Sequence, residues 1–160
     1  MNVMTETFLR LVRLGIGHTD TTDITDNVDW VQLKALADAQ GLSAVVLDGL
    51  NGLPLSSLDA YGMPQMLRLE WIGEVLQNYE ARYKAYKKAI GSLAGWYNGH
   101  GFKMMVLKGY ACALDWPRPE HRPCGDIDIW LFGQQAAADK ALGSWFKVHG
   151  SRSEIDNSHH

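Results

Sequence analysis

The sequence has few cysteines and no long apolar run. Among 160 residues, only Cys112 and Cys124 are cysteines. Small secreted domains that depend on disulfides use more, so we expect reduced thiols and a cytoplasmic protein. The first residues lack the basic segment and apolar core of a signal peptide, and no run approaches the ~20 apolar residues of a membrane span. A membrane partner is therefore not expected.

An excess of basic residues is also absent. The chain has 15 lysines and arginines against 18 aspartates and glutamates, which gives a net charge of −3. Duplex nucleic acid selects strongly basic surfaces, so no duplex partner is expected, whereas a small phosphorylated ligand needs only a few local cations. Apolar residues make up 46% of the chain, which is typical of a folded domain rather than a disordered one.

Helical periodicity dominates the first two thirds of the sequence, where apolar residues recur at intervals of three and four. We expect residues 1–62 to form a helical accessory region and residues 63–160 to form a core. The stripe Tyr79–Tyr97 on the longest helix is expected to be buried core or an interface. The predicted helices cover residues 6–15, 42–50, 64–98, 110–116 and 134–148, and another runs from a cap at Asp26 or Asn27 to about Gln40.

Two short segments after Gly101 have the pattern of strands. Residues 102–107 form an apolar run between glycines, which suits a buried strand. Residues 126–132 alternate strictly, with aspartate and aromatic residues on one face and aliphatic residues on the other. Together with the helices, these strands predict an α/β (α+β) fold, in which a helical amino-terminal region precedes a core with a small sheet.

The second predicted strand begins with Asp126-Ile127-Asp128. Because successive side chains of a strand alternate, both carboxylates point to one face. Such a pair is costly unless a cation neutralises it, and carboxylate oxygens are the ligands that Mg²⁺ or Mn²⁺ prefers. We therefore predict Asp126 and Asp128 as metal ligands and catalytic residues.

The first predicted strand ends at Lys108-Gly109, a turn suited to a triphosphate. Gly109 allows close approach of the backbone, Lys108 supplies a positive charge, and Arg122 adds a bidentate phosphate contact. We predict these three residues as the substrate-binding set. Simpler interpretations remain open: an exposed turn lysine, a turn glycine, and an arginine that pairs with Asp126 or Glu120.

These motifs resemble an uncharacterised bacterial family of the nucleotidyltransferase superfamily that includes DNA polymerase β. The specific part of the resemblance covers residues 102–132. It implies a polymerase β-like core with a small mixed sheet. It also implies metal-dependent transfer of a nucleoside monophosphate from a nucleoside triphosphate to an unknown hydroxyl acceptor, either a small molecule or a protein. The stretches that carry the resemblance are Val106-Leu107-Lys108-Gly109, Trp116-Pro117-Arg118-Pro119 and Arg122-Pro123-Cys124-Gly125-Asp126-Ile127-Asp128-Ile129.

The resemblance also implies a third metal-binding carboxylate on a later strand. Glu154-Ile155-Asp156 has suitable residue types, but its polar neighbours do not predict a buried strand. We expect a core that is incomplete at its carboxyl end, with the missing strand beyond His160. Such a chain would bind metal weakly and be inactive, although the full-length protein would be an enzyme.

Two alternatives from other functional classes remain open. One is a non-catalytic module on the same fold that binds a nucleotide or a protein. The other is a helical interaction domain that uses the Tyr79–Tyr97 stripe.

Overall fold

The fold is mostly helical, with one small sheet. The computed structural model describes residues 3–18, 28–54, 58–59 and 61–143. Its elements are α1 (Val3–Gly15), α2 (Trp30–Ala39), α3 (Ser43–Asn51), α4 (Gln65–Val75), a π-helical segment (Leu76–Glu80), α5 (Ala81–Gly99), β1 (Met105–Leu107), α6 (Lys108–Ala113), a 3₁₀ turn (Pro119–His121), β2 (Asp128–Trp130) and a last helix described over residues 135–143.

Helix α2 begins later than predicted. Asp29 is its cap, because Asp29 Oδ1 accepts a hydrogen bond of 3.0 Å from the backbone N–H of Gln32. The predicted caps, Asp26 and Asn27, were wrong, and they lie outside the described residues. Several Asp and Asn residues precede the helix, and the apolar pattern alone did not select among them.

The main core joins the amino-terminal helices to α4. Leu11, Leu33, Leu50 and Trp71 are fully buried in one cluster. The indole N–H of Trp71 donates to the carbonyl of Ser43 over 3.0 Å, so the largest core side chain leaves no unpaired donor. This cluster contains residues on both sides of the boundary predicted after residue 62, and the division into two regions stays a prediction.

Helices α1 and α3 cross with their backbones in contact. A Cβ atom on Gly49 would overlap the carbonyl of Leu11, and one on Gly15 would overlap the carbonyl of Val45. Both glycines are required by this close crossing rather than by a turn.

The long helix predicted over residues 64–98 is present over residues 65–99. It continues without a break past Gly91. Its irregularity lies earlier, at the π-helical segment Leu76–Glu80. An inserted residue of this kind rotates the side chains that follow it, and such bulges are frequent at functional sites.

The sheet contains two antiparallel strands in the described part of the chain, so the mixed sheet that the resemblance implies is not seen there. The register pairs Met105 with Trp130, Val106 with Ile129, and Leu107 with Asp128.

Both strands are shorter than predicted. The N–H of Phe102 bonds to the carbonyl of Tyr97 over 2.9 Å, so this residue closes α5 instead of starting β1. At the other end, Phe132 and Gly133 have φ values of 54° and 82°, which bend the chain away after β2.

The final predicted helices also differ in extent. Helix α6 starts at Lys108, directly after β1, and ends at Ala113 instead of continuing to Trp116. The last helix is described over residues 135–143, and the rest of its predicted range lies outside the described residues. A smaller cluster around Tyr97, Leu131 and Ala138 packs this helix against β2 and α5.

The crossing of α1 and α3 gives a test of the packing. We expect Gly49→Ala to lower the free energy of unfolding by about 1–3 kcal/mol, because the new methyl group forces two backbones apart. Gly73→Ala is the matched control: Gly73 lies in α4 with open space around it, and alanine should stabilise that helix by about 1 kcal/mol. Urea unfolding of both variants measures the difference, and equal effects would contradict the crossing.

Candidate active site

The strand register brings the Lys108-Gly109 turn beside the Asp-x-Asp segment. Leu107 pairs with Asp128, and the next residue, Lys108, places its Nζ 3.5 Å from Asp128 Oδ1. Lys108 has a φ of 41°, in the left-handed region. A non-glycine residue held in that conformation costs of order 1 kcal/mol, and such strain is concentrated at functional turns.

Gly109 is required by a close contact. A Cβ atom at this position would lie 2.7 Å from Cys124 Sγ and 3.5 Å from the backbone oxygen of Asp126. The turn therefore touches the loop that leads into β2. This contact explains the glycine by packing alone, and it also brings the turn next to the two aspartates.

Arg122 ties the same turn to the same loop. Its Nη1 donates to the carbonyl of Gly109 over 2.8 Å and to that of Pro123 over 3.3 Å. Its guanidinium carbon lies 5.8 Å from the centre of the Trp116 ring, within the range of a cation–π contact. The described contacts of Arg122 are therefore to carbonyls and a ring, rather than to Asp126 or Glu120. Its phosphate-binding role stays a prediction.

The two aspartates differ in burial. Asp126 is exposed and precedes β2. Asp128 lies in β2, and 28% of its side-chain surface is exposed. Both offer hard oxygen donors that solvent cations can reach, so the residues present suit Mg²⁺ or Mn²⁺. Lys108 partly balances Asp128. Glu154-Ile155-Asp156, the segment considered for a third carboxylate, lies outside the described residues.

Two tyrosines of α5 contact the loop before Asp126 and the residue after Gly109. The hydroxyl of Tyr86 donates to the carbonyl of Gly125 over 3.0 Å, one residue before Asp126. Tyr83 stacks on Tyr110, which follows Gly109, with ring centres 5.1 Å apart. Burial and the hydrogen bond that the Tyr83 hydroxyl donates to the Tyr110 hydroxyl raise the pKa of Tyr83 to about 12. The sequence reasoning assigned these tyrosines to core or interface and missed their contacts with the loop and turn.

A second polar cluster surrounds His121, which is only 2% exposed. Its Nδ1 lies 2.7 Å from Asp48 Oδ2, and its Nε2 lies 3.4 Å from Glu80 Oε1. Arg118 contacts the carboxylates of Asp48, Glu80 and Glu120 at 3.2–3.4 Å. The cluster links α3 to the loop before β2.

The same cluster has the composition of a metal site. Glu80, Glu120 and His121 can each offer one ligand atom, and these atoms lie within 4.8 Å of one another. A hydrogen bond to its own backbone N–H, followed by the charges of Arg118 and His121, keeps the pKa of Glu120 below its usual value despite burial. Arg118 already supplies positive charge to these carboxylates, so the cluster is stable as an ion-pair network and needs no metal to neutralise it. Sequence reasoning missed it, since Asp48 and His121 are 73 positions apart.

A cavity of about 550 Å³ lies between the amino-terminal helices, the long helix and the loop before Asp126. The volume is within the usual range for small-molecule sites. Its lining combines tyrosine rings, carboxylates, two guanidinium groups and loop backbone. The lining residues are Asp38, Gly41, Ser43, Glu74, Asn78, Tyr79, Arg82, Tyr83, Tyr86, Glu120, Arg122, Pro123, Cys124 and Gly125.

The Lys108-Gly109 turn and the Asp126–Asp128 segment lie beside one another, next to the loop that lines this cavity. A family model described as "Uncharacterised nucleotidyltransferase" matches residues 26–154, and the chain belongs to this family. Comparisons with curated proteins and with solved structures gave no match. Within the described ranges, no helix is both long and apolar enough to cross a membrane.

The contact between Gly109 and Cys124 can be tested by a double-mutant cycle. We expect Gly109→Ala to cost about 1–3 kcal/mol of unfolding free energy, because its methyl group meets Cys124 Sγ. In a Cys124→Ala background the same substitution should cost almost nothing, since the remaining neighbour is at ordinary contact distance. Chemical denaturation of the four proteins measures the coupling. An equal cost in both backgrounds would mean that another constraint requires the glycine.

Proposed function

We propose that this protein transfers a nucleoside monophosphate from a nucleoside triphosphate to a hydroxyl acceptor. Membership of the nucleotidyltransferase family supports the reaction class. The observation that carries the proposal is the approach of Lys108 Nζ to within 3.5 Å of Asp128 Oδ1, which joins the Lys108-Gly109 turn to the Asp-x-Asp strand. A cation beside a carboxylate pair is the arrangement that a metal–triphosphate complex requires.

The proposed binding mode divides the triphosphate between two sets of residues. Lys108 contributes an exposed ammonium group, 77% accessible, that can move from Asp128 to a phosphate oxygen. Arg122 bonds the two carbonyls through Nη1 only, which leaves other N–H donors of its guanidinium for phosphate. Asp126 and Asp128 would hold Mg²⁺ or Mn²⁺, which supplies positive charge to the attacking hydroxyl and the leaving pyrophosphate.

The proposed chemistry is a direct displacement at phosphorus. The acceptor oxygen forms a bond to the α-phosphorus, while the bond from that phosphorus to the bridging oxygen of pyrophosphate breaks. The hydroxyl proton passes to solvent, which reaches the exposed Asp126. The turn and the loop are joined through Gly109, Cys124 and Arg122, so the residues that bind phosphate and those that bind metal keep one relative position.

Metal-dependent nucleotide binding tests this proposal. We expect Mg²⁺ to tighten the binding of a fluorescent nucleoside triphosphate by about tenfold or more in the wild type, and to have little effect in Asp126→Asn/Asp128→Asn. Lys108→Ala should weaken binding both with and without Mg²⁺, because its charge acts on phosphate directly. Asp115→Asn, in the exposed loop after α6, is the control and should behave as wild type.

Turnover separates the enzyme from a binding module. Release of pyrophosphate in the presence of a set of hydroxyl compounds, lost in the double Asn variant, is the result expected of a protein that also carries the third carboxylate. Binding that is unaffected by Mg²⁺ and by both aspartate substitutions would contradict the metal assignment. Metal-dependent binding without turnover would favour the non-catalytic alternative.

A further inference from the structure

The cavity described above adjoins the proposed site through one short loop. Cys124 contacts the position of Gly109 and also lines the cavity, and Gly125, which lines it too, directly precedes Asp126. Tyr86 forms part of the cavity wall and donates its hydroxyl to the Gly125 carbonyl. The lining of the cavity therefore includes the residue that directly precedes Asp126, one of the two predicted catalytic carboxylates. Its volume of about 550 Å³ suits a small molecule rather than a folded partner.

One end of the cavity carries more negative than positive charge. Asp38 and Glu74 line this end and share a single cation, because the Nζ of Lys34 bonds to both carboxylates. Burial lowers the pKa of Lys34, but the hydrogen bonds to Glu74 and Asp38 outweigh this effect and raise it, so the group stays protonated. Two carboxylates with one ammonium leave one net negative charge. Both carboxylates remain about half exposed, with side-chain accessibilities of 45% and 50%.

The tyrosines add a second preference for cations. Tyr79, Tyr83 and Tyr86 follow one another along the cavity wall. Aromatic faces combined with carboxylates are the means by which proteins recognise organic ammonium groups. The phenol hydroxyls can also exchange hydrogen bonds with hydroxyl groups of a ligand.

Ser43 provides an independent indication that the cavity takes a polar ligand. This residue lines the cavity, is only 3% exposed, and its Oγ has no hydrogen-bond partner among the described residues. A buried hydroxyl without a partner is costly and uncommon in folded proteins. The Oγ atom itself has almost no exposed surface, so a ligand hydroxyl or amine in the cavity would supply the missing hydrogen bond once the Ser43 side chain rotates towards it.

We propose that the cavity is the acceptor site and binds a small hydroxylated organic cation, with its ammonium group towards Asp38 and Glu74. The assignment as acceptor rests on the proposed nucleotidyl transfer, whereas binding of the cation does not. Arg82 and Arg122 are the opposing cations of the lining. The Arg82 guanidinium lies 5.5 Å from the centre of the Tyr86 ring, and its Nε donates to the Tyr86 hydroxyl over 3.1 Å. This cation–π contact with the Tyr86 ring offsets part of the Arg82 charge.

A matched series of six-carbon polyols tests the charge preference without any nucleotide. The probes are 1-amino-1-deoxysorbitol as the cation, sorbitol as the neutral compound and gluconate as the anion. We expect the cation to bind with at least about threefold higher affinity than sorbitol, and gluconate to bind least, as measured by NMR titration of the full chain. Equal binding of the three probes, tightest binding of gluconate, or no binding of the cation would overturn the proposal.

Two substitutions and one control locate the binding. Glu74→Gln should remove most of the preference for the cation over sorbitol, and Ser43→Ala should weaken both probes while leaving the protein at least as stable as wild type. Glu70→Gln is the control, because Glu70 is an exposed residue of the same helix that does not line the cavity. Equal losses in Glu70→Gln and Glu74→Gln would overturn the placement. Because no nucleotide is present, failure of this series leaves the triphosphate-binding experiment unaffected.

Discussion

The candidate site depends on the close approach of Gly109 to the loop that enters β2. With any larger residue, a Cβ atom would lie 2.7 Å from Cys124 Sγ, and either the turn or the Cys124 side chain would have to move. The other contacts follow from this approach: Arg122 can reach the Gly109 carbonyl at 2.8 Å, and Lys108 can reach Asp128 at 3.5 Å. A three-residue ladder is too short to hold two loops in position alone, so these side-chain contacts complete the site.

Two groups of carboxylates compete for the role of metal site. The Glu80–Glu120–His121 group has a suitable donor set, but its carboxylates already contact Arg118 and His121 is almost fully buried. A metal there would have to displace a guanidinium that is shared among several acids, which is unfavourable. Asp126 is exposed, and Lys108 is a weaker competitor for Asp128 than Arg118 is for its carboxylates, because Lys108 is exposed and makes only a long ion pair. The physical balance therefore favours the Asp-x-Asp pair.

The local features of the fold could be predicted from the sequence. The alternation of residues 126–132, the break at Lys108-Gly109 and the periodicity of residues 64–98 each depend on neighbours in the chain, and each led to an element of the expected type. The strand ends were missed because Phe102 closes α5 and Phe132 turns into the left-handed region. The cavity and the His121 cluster were missed because they join distant segments, such as Asp48 with His121 and Tyr86 with Gly125. No periodic pattern signals such contacts.

The position at which a paramagnetic metal binds tests most directly whether Asp126 and Asp128 hold the metal. Substoichiometric Mn²⁺, added to the isotopically labelled chain with a nucleoside triphosphate, broadens the NMR signals of nearby backbone amides. We expect the amide signals of Gly109, Ile127 and Asp128 to broaden before that of His121. Broadening that begins at Glu80 and His121, with Gly109 and Ile127 unaffected, would contradict it.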